Sequence, residues 1–205
     1  KLQEENIKEP VCNLQTEVPY SVCLGIQSLE SSQESISRQP FNYRAWIAAA
    51  NSAYNLQLYG LAVKYYANAS AIVPNSWPIR NELAEAQIAA GLYEEALLQL
   101  EFSLGITEGA RESSEALLLK GRALKSLNRL DDAVGALQSG AVTPQASMDL
   151  MRDIYAKQGV RTDVGFFDKA IEQDPTNPFA YYFRGLARLS MGEAEGAVLD
   201  ISESR

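Results

Sequence analysis

Residues 58–74, LYGLAVKYYANASAIVP, decide the fold of this chain of 205 residues. Aromatic and small residues recur in this stretch at the three- and four-residue spacing of one face of an α-helix. The residues that share this face are Tyr59, Ala62, Tyr66 and Ala69. Pro74 ends the helix, because proline lacks the backbone N–H that would continue its hydrogen bonds. A preceding face with the same spacing carries Trp46, Ala49, Ala50, Ala53 and Leu56. The sequence therefore predicts two closely packed helices joined by a turn near Gln57.

Similar sequence stretches recur further along the chain. Residues 92–106 read LYEEALLQLEFSLGI, and the steps from Tyr59 to Tyr93 and from Ala62 to Ala96 are both 34 residues. Later stretches of the same kind are RLDDAVGALQSGAVTP at 129–144 and GEAEGAVLDIS at 192–202. A period of this length is typical of arrays of helical hairpins, in which each unit buries its apolar face against the next.

The pattern resembles the tetratricopeptide repeat, a helix–turn–helix unit with a bulky residue, a small residue, an alanine and a closing proline at set places. The matching residues are Trp46, Tyr59, Ala62, Tyr66, Ala69 and Pro74; Leu83, Ala84, Gly91, Tyr93 and Ala96; Leu117, Gly121, Leu130 and Ala133; Phe167, Ala170 and Pro175; and Tyr181, Gly185, Gly192 and Ala197. The resemblance implies an all-α fold, a right-handed superhelix (α-solenoid) of antiparallel hairpins. It implies a repeat domain at 41–205, with repeats at about 41–74, 75–108, 112–144, 145–175 and 176–205, the last of them truncated.

Two parts of the array depart from this pattern. The link at 107–115 is longer than a hairpin turn, and the sequence around 159–164 lacks the small residue that normally opens a second helix. We expect a tilted or loosened fourth hairpin there. Gly91 and Gly192 stand where a helix must end, because glycine enters the left-handed backbone region at little cost.

Residues 1–40 precede the repeats. The polar stretch 1–19 reads as an extended arm, whereas 20–38 keeps helical spacing. A repeat array needs an atypical end that shields its first apolar face, so we interpret this helix as a cap. An arm that is swapped between protomers or that binds a partner is the alternative.

The two cysteines, Cys12 and Cys23, both lie near the start of the chain. They could form one disulfide, as is typical of oxidising compartments, or be two unpaired thiols. The chain begins at Lys1 without an initiator methionine, and Asn68-Ala69-Ser70 is a glycosylation sequon. These features leave the compartment unknown, with an exported or membrane-anchored protein slightly favoured over a cytoplasmic one.

Composition argues against catalysis and against nucleic-acid binding. The chain has 18 basic and 26 acidic residues, a net charge of -8 and no histidine. Phosphate backbones need a basic surface, and the common Ser-His-Asp and Cys-His arrangements need histidine. Two cysteines without histidine cannot complete a zinc tetrahedron, and the glycine-rich phosphate loops are missing. We therefore predict no enzyme, no cofactor, no metal site, no nucleic-acid partner and no segment inserted into a membrane.

The candidate site lies on the first helices of the hairpins, which line the concave side in the family that the chain resembles. The residues predicted to contact a ligand there are Asn51, Tyr54, Asn55, Asn81, Arg122, Lys125, Arg152, Tyr155 and Tyr182. Asparagine amides both donate and accept hydrogen bonds, which suits the backbone of an extended peptide. The three cations favour an acidic peptide or a C-terminal carboxylate, and the tyrosines favour apolar side chains beside it.

These features predict a scaffold or adaptor that binds a protein or peptide segment in a concave groove. The three cations favour an acidic segment. The alternative is a structural spacer or self-association module of a larger chain, for which a homo-oligomer is expected. Some members of the family clamp acidic chaperone tails with lysines and asparagines. Ile47 and Glu82 stand at two of the corresponding positions, so we do not expect that clamp here.

Overall fold

The computed structural model describes residues 19–107, 110–139, 145–158 and 163–204. The regular elements in these ranges are α-helices. They are α1 (Tyr20–Arg38), α2 (Tyr43–Asn55), α3 (Tyr59–Ile72), α4 (Trp77–Ala89), α5 (Tyr93–Ile106), α6 (Ala110–Ser126), α7 (Leu130–Gln138), α8 (Gln145–Lys157), α9 (Val164–Gln173), α10 (Pro178–Ser190) and α11 (Ala194–Glu203). None of the helices in the described ranges combines the length and the apolar character needed to cross a membrane.

The chain divides into two compact units, Lys1–Gly91 and Leu92–Arg205. The division falls between α4 and α5, inside the predicted second repeat, and the repeat boundaries themselves stay a prediction. The long link expected at 107–115 is wrong, because α6 already begins at Ala110. Its first residues, ARESSEALLLK, are mostly good helix formers, and their propensity extends the helix backwards. The distortion expected around 159–164 falls largely on residues 159–162, which lie outside the described residues.

In the first unit, α1 packs on α2, α2 on α3, and α3 on α4. The predicted alanine stripes form the contact between α2 and α3. Ala49, Ala50, Ala53 and Ala62 are each 0% exposed, and small side chains here let the two helix backbones come close. Leu29 of α1 belongs to the same buried cluster as these alanines. The predicted capping helix is present as α1, and the arm before it lies outside the described residues.

Two kinds of residue end the first helix of a hairpin. Gly91 and Gly192 adopt φ values of +80° and +84°, as the sequence predicts for them. Gln57 and Asn128 adopt nearly the same conformation in two other hairpins, with φ values of 60° and 59°. After Gln57, the N–H of Leu58 donates to the carbonyl of Ala53 at 2.9 Å. This bond satisfies a carbonyl that the last helical turn would otherwise leave without a partner.

In the second unit, α6 packs on α5 and α7, α10 packs on α9 and α11, and α8 contacts α6, α7 and α10. Leu100, Leu124, Met151 and Ile154 are its largest fully buried apolar side chains. Glycine brings two helices into close contact at Gly185, where an added Cβ would lie 3.1 Å from the Ala197 carbonyl oxygen and 2.9 Å from Ile201. Close packing of this kind fixes the positions of the first helices that carry the candidate site.

Candidate peptide-binding surface

In the first unit, the predicted residues of α2 occupy its more accessible side. Asn51 is exposed, and its side-chain oxygen accepts a hydrogen bond from the hydroxyl of Tyr66 on α3. Burial, followed by the nearby Glu82 and Glu85 carboxylates, raises the pKa of Tyr66. The hydroxyl therefore keeps its proton and stays a donor. The bond fixes the Asn51 amide, so that its NH₂ group keeps a defined direction.

Tyr54 and Asn55 extend this side towards the end of α2. The half-buried ring of Tyr54 meets the ring of Tyr59 edge to face, with centroids 5.3 Å apart. Asn55 is exposed and lines a cleft of about 360 Å³ between α1 and α2. Ser28 and Ser52 also line that cleft and share a hydrogen bond of 2.8 Å. The end of α2 therefore offers an aromatic edge and an amide side by side.

Asn81 is a correction to the predicted surface. It is 1% exposed in α4, which packs against α3. Helical spacing places it on the same side of α4 as Glu85, but spacing does not show that the residue is buried. Its amide is part of the helix packing and does not reach a ligand on the surface of this structure.

In the second unit, the three predicted cations share their surface with carboxylates. Lys125 on α6 donates to Asp153 on α8 at 2.9 Å. Arg152 forms an ion pair of 3.3 Å with Asp149, one turn away on its own helix. Arg122 is exposed on α6, three residues before Lys125. The local charge is therefore less positive than the three cations alone would make it.

The ion pair between Lys125 and Asp153 changes the pKa of the Asp153 carboxyl. The hydrogen bond from Lys125, followed by its charge, lowers the pKa of Asp153 below the ordinary value. Asp153 is therefore charged at neutral pH. The pair links α6 to α8 and holds the two helices that carry all three cations.

The predicted tyrosines of the second unit belong to an aromatic cluster around the buried Phe183. Tyr155 and Tyr182 meet its ring edge to face at centroid distances of 5.5 Å and 5.4 Å, and Phe167 stacks on it at 5.7 Å. Tyr155 is half-buried, and burial raises the pKa of its hydroxyl. Tyr182 is 7% exposed, so the prediction that it contacts a ligand is corrected, because its ring fills the core.

The possible Cys12–Cys23 disulfide involves one described residue. Cys23 in α1 is 4% exposed and is disulfide-bonded. Cys12 lies outside the described residues, so the pairing of these two residues stays a prediction.

Sequence reasoning missed a buried ionic network in the second unit. Asp200 on α11 is 2% exposed and accepts hydrogen bonds from Arg184 and Arg188 of α10. Arg184 also donates to Asp168 of α9 at 2.8 Å. The spacing of Arg184 and Arg188 places both on one helix face, and this was the available signal. The network ties three helices together and leaves little charge for a ligand.

A second missed feature is a cleft of about 470 Å³ formed by α5, α6 and α7. Apolar residues such as Leu97 and Leu124 line part of it, and its charged groups include two ion pairs. Lys120 pairs with Glu101 at 3.6 Å, and Arg129 pairs with Asp132 at 2.9 Å. Within the described residues, no group of three or more histidine, cysteine or acidic side chains could hold a metal ion.

Several solved structures share this fold. YrrB, described as a TPR protein with an unusual peptide-binding site, is 18% identical; the match covers 86% of this chain and 91% of that chain with a TM-score of 0.52. MamA 41-end from Desulfovibrio magneticus RS-1 is 15% identical over 88% of this chain and 83% of that chain, with a TM-score of 0.51. Another MamA structure is 19% identical over 79% and 89%, with a TM-score of 0.50.

Identities this low show the fold alone. The structural matches confirm the predicted fold class, an all-α array of helical hairpins of the α-solenoid type. No family model matches the chain, and no curated protein sequence matches it.

Proposed function

Because the chain has the fold of tetratricopeptide-repeat proteins, we propose that it is a non-catalytic scaffold that binds a peptide segment of a partner protein on its first helices. The observation that carries the proposal is a group of basic side chains on α6 and α8, formed by Arg122 and Arg152, which are exposed, and by Lys125, which is partly buried. It is a positively charged surface on a chain whose net charge is -8. YrrB, a protein of the same fold, has a peptide-binding site, which supports a peptide as the ligand class.

The ligand group that this surface fits is a carboxylate. Arg152 and Lys125 already pair with Asp149 and Asp153, two exposed carboxylates that are not fixed by burial. A carboxylate of an incoming peptide can replace them by exchange, because each ion pair at an exposed site contributes only about 0–1 kcal/mol. Arg122 adds a planar guanidinium that can hold a carboxylate through two hydrogen bonds. Binding of this kind is expected to weaken as salt is added.

Tyr155 gives this surface an apolar partner. Its ring is held by Phe183, and its half-buried position leaves part of the side chain accessible beside Arg152 on α8. A peptide with an acidic residue next to an apolar one matches this arrangement. In the first unit, Asn51, Tyr54 and Asn55 supply amide and aromatic groups that suit a peptide backbone.

The test starts with peptides selected by phage display on the wild-type protein. Each selected peptide is labelled with fluorescein, and its affinity is measured by fluorescence anisotropy. We expect the double variant Arg122→Glu/Arg152→Glu to bind at least about tenfold more weakly, because two attractive charges become repulsive. We also expect the selected peptides to be rich in Asp and Glu.

The matched control is Arg38→Glu/Arg129→Glu. These arginines are also exposed, and each pairs with a carboxylate close to it in sequence, as Arg152 does. The control carries the same change of net charge and should bind within about twofold of wild type. Equal affinities of the two double variants, or a display that enriches no peptide, would reject the proposal.

A further inference from the structure

The hairpin of α2 and α3 and the hairpin of α6 and α7 correspond at a constant step of 71 residues. Gln57 and Asn128 are separated by this step, and both adopt the left-handed backbone, with φ values of 60° and 59°. In each turn the N–H of the next residue donates a hydrogen bond of 2.9 Å. Ala62 and Ala133 are separated by the same step, and both are 0% exposed. The two hairpins can therefore be compared position by position.

In the α2–α3 hairpin, aromatic rings close the contact with the preceding helix. Tyr65 of α3 lies against Trp46 of α2, with ring centroids 5.9 Å apart. The Tyr65 hydroxyl accepts a hydrogen bond of 2.8 Å from the side-chain amide of Gln33 on α1. Both rings are partly buried. A phenol ring whose hydroxyl has a polar partner thus occupies the space beside α1.

The α6–α7 hairpin has no ring at either of these positions. The step of 71 residues leads from Trp46 to Leu117 and from Tyr65 to Ala136. Leu117 and Ala136 both line the cleft of about 470 Å³, together with residues of α5. Helix interfaces are normally close-packed, so the replacement of two rings by an isobutyl and a methyl group accounts for this opening. The cleft therefore lies where the other hairpin holds aromatic side chains.

Two polar side chains meet in the cleft. Lys120 of α6 and Glu101 of α5 both line it, and their charged atoms, Nζ and Oε1, are 3.6 Å apart. This distance is longer than a hydrogen bond, and Lys120 makes no hydrogen bond within the described residues. A ligand hydroxyl between the two groups can accept from Lys120 and donate to Glu101. The pair therefore offers both partners that a phenol hydroxyl uses.

The other groups in the cleft favour a neutral ligand. Arg129 pairs with Asp132 at 2.9 Å, and Asp131 accepts a hydrogen bond of 2.8 Å from Gln158. Apolar side chains such as Leu97 supply a contact surface for a ring. A carboxylate or an ammonium group would meet a like charge in this cleft as well as an opposite one. A neutral ring with one hydroxyl avoids that repulsion.

We propose that the cleft formed by α5, α6 and α7 binds a phenolic ring. The ring lies at the place that corresponds to Tyr65, and its hydroxyl lies between Lys120 and Glu101. A tyrosine side chain of a partner protein and a small free phenol share this chemistry. Open clefts of this size, with apolar walls and a few convergent polar groups, are typical of sites for small ligands. Arg122 and Arg152 of the proposed peptide surface do not line the cleft, so either proposal can fail without the other.

The experiment uses neutral probes, because these are not attracted to the basic peptide surface. N-acetyl-tyrosinamide and N-acetyl-phenylalaninamide differ only in the hydroxyl, and NMR titration of the ¹⁵N-labelled protein measures their affinities. Wild type should bind the tyrosine amide with a Kd of about 1 mM or tighter. It should bind the phenylalanine amide at least about fivefold more weakly, because hydrogen bonds to two charged groups are lost. Tighter binding of p-cresol would assign the site to a free phenol, and tighter binding of the tyrosine amide to a tyrosine side chain.

Variants place the ring in the cleft. Ala136→Tyr supplies the ring from the protein itself and should abolish binding of both amides. Lys120→Met should bring the affinities for the two amides to within about twofold of each other. Two variants are controls that should bind as wild type does. Ala71→Tyr adds the same ring at an exposed position of α3, and Arg122→Glu/Arg152→Glu changes the proposed peptide surface.

A second blocking variant keeps the test decisive if Ala136→Tyr does not fold, which circular dichroism would reveal. Leu117→Trp places an indole where the α2–α3 hairpin has Trp46, and it should also abolish binding. Absence of saturable binding up to about 10 mM probe would reject the site. Equal affinities of wild type for the two amides would remove the role of Lys120 and Glu101. Unchanged binding by a folded blocking variant, or equal loss in Ala71→Tyr, would mean that the ring binds elsewhere or without specificity.

Discussion

Arg184 of α10 donates two hydrogen bonds to Asp200 of α11, from Nε at 3.0 Å and from Nη2 at 2.6 Å. The planar guanidinium and the planar carboxylate meet along matching edges, which is the strong form of this ion pair. Arg188 adds a third bond to the same carboxylate at 2.8 Å. The hydrogen bonds that Arg184 donates to Asp200 are the largest cause of its raised pKa. A buried carboxylate with this set of donors is a structural element of the hairpin.

We expect Asp200→Ala to lower the free energy of unfolding by about 2–4 kcal/mol, because two partly buried arginines lose their shared partner. Asp168→Ala is the control, since that carboxylate is 45% exposed in its side chain and pairs with Arg184, whereas Asp200 pairs with both Arg184 and Arg188. Its removal should cost less than about 1 kcal/mol. Urea denaturation measures both values. Equal losses of unfolding free energy in the two variants would mean that burial does not strengthen the ion pair between Arg184 and Asp200.

The close approach of α10 and α11 gives a second prediction. A Cβ on Gly185 would lie 3.1 Å from the backbone oxygen of Ala197, and backbone cannot move aside as a side-chain end can. Gly185→Ala should therefore destabilise the protein by about 1–3 kcal/mol. Gly60 of α3 has nothing within 4 Å of its added Cβ, so Gly60→Ala should stabilise by about 0.4–1 kcal/mol. Thermal unfolding measures both variants. Melting temperatures that both rise or both fall relative to wild type would contradict this account.

The left-handed turn residues give a third prediction. Gln57 at a φ of 60° pays a steric cost between its Cβ and the following carbonyl, which glycine avoids. Gln57→Gly should stabilise the protein by about 0.5–1 kcal/mol once the greater freedom of unfolded glycine is subtracted. Asn128→Gly should gain less, because asparagine tolerates this conformation. Gly91→Ala, the reverse change, should destabilise. Chemical denaturation of the three variants measures the order, and a loss of stability in Gln57→Gly would contradict the steric argument.

Much of the fold could be predicted from sequence because its stabilising residues are local and periodic. The spacing of Ala62, Tyr66 and Ala69 defines one helix face, and all three are buried in the structure. In the sequence, glycine indicates the turns at Gly91 and Gly192. The sequence also predicts a turn near Gln57, but no glycine there indicates the left-handed backbone that Gln57 and Asn128 adopt. That conformation accompanies the closing hydrogen bonds of the hairpin.

The candidate site could be predicted only in part, for a physical reason. Spacing tells which residues share a helix face, but it does not tell which neighbouring helix covers that face. Asn81 and Tyr182 were therefore placed on the surface, and both are buried. The pairing of Lys125 with Asp153 joins residues 28 positions apart, and it depends on how α6 and α8 pack. Charge counted along the sequence therefore overstated the positive field of this surface.

That same pair gives the last prediction. The pKa of Asp153 lies below its ordinary value of 3.8, first because of the hydrogen bond from Lys125 and then because of its charge. Lys125→Met keeps most of the aliphatic stem and removes both effects, so the pKa of Asp153 should rise towards its ordinary value. Carbon-detected NMR titration of the aspartate carboxyls measures it directly. Lys169→Met, on exposed α9 surface, is the control and should leave the pKa of Asp153 where it is in wild type.

The direction of the Asp153 pKa shift determines how this ion pair changes the stability of the fold with pH. A carboxyl whose pKa is lower in the folded than in the unfolded protein stabilises the fold above the unfolded value, which is about 3.9 for aspartate. That contribution is lost as the pH falls through the folded value. Because Asp153 is exposed, it should amount to no more than about 1 kcal/mol. Wild type and Lys125→Met should therefore differ in stability at pH 7 and converge in acid. A difference that persisted in acid would show that Lys125 acts through packing, and the exchange of Asp153 for a ligand carboxylate would lose its basis.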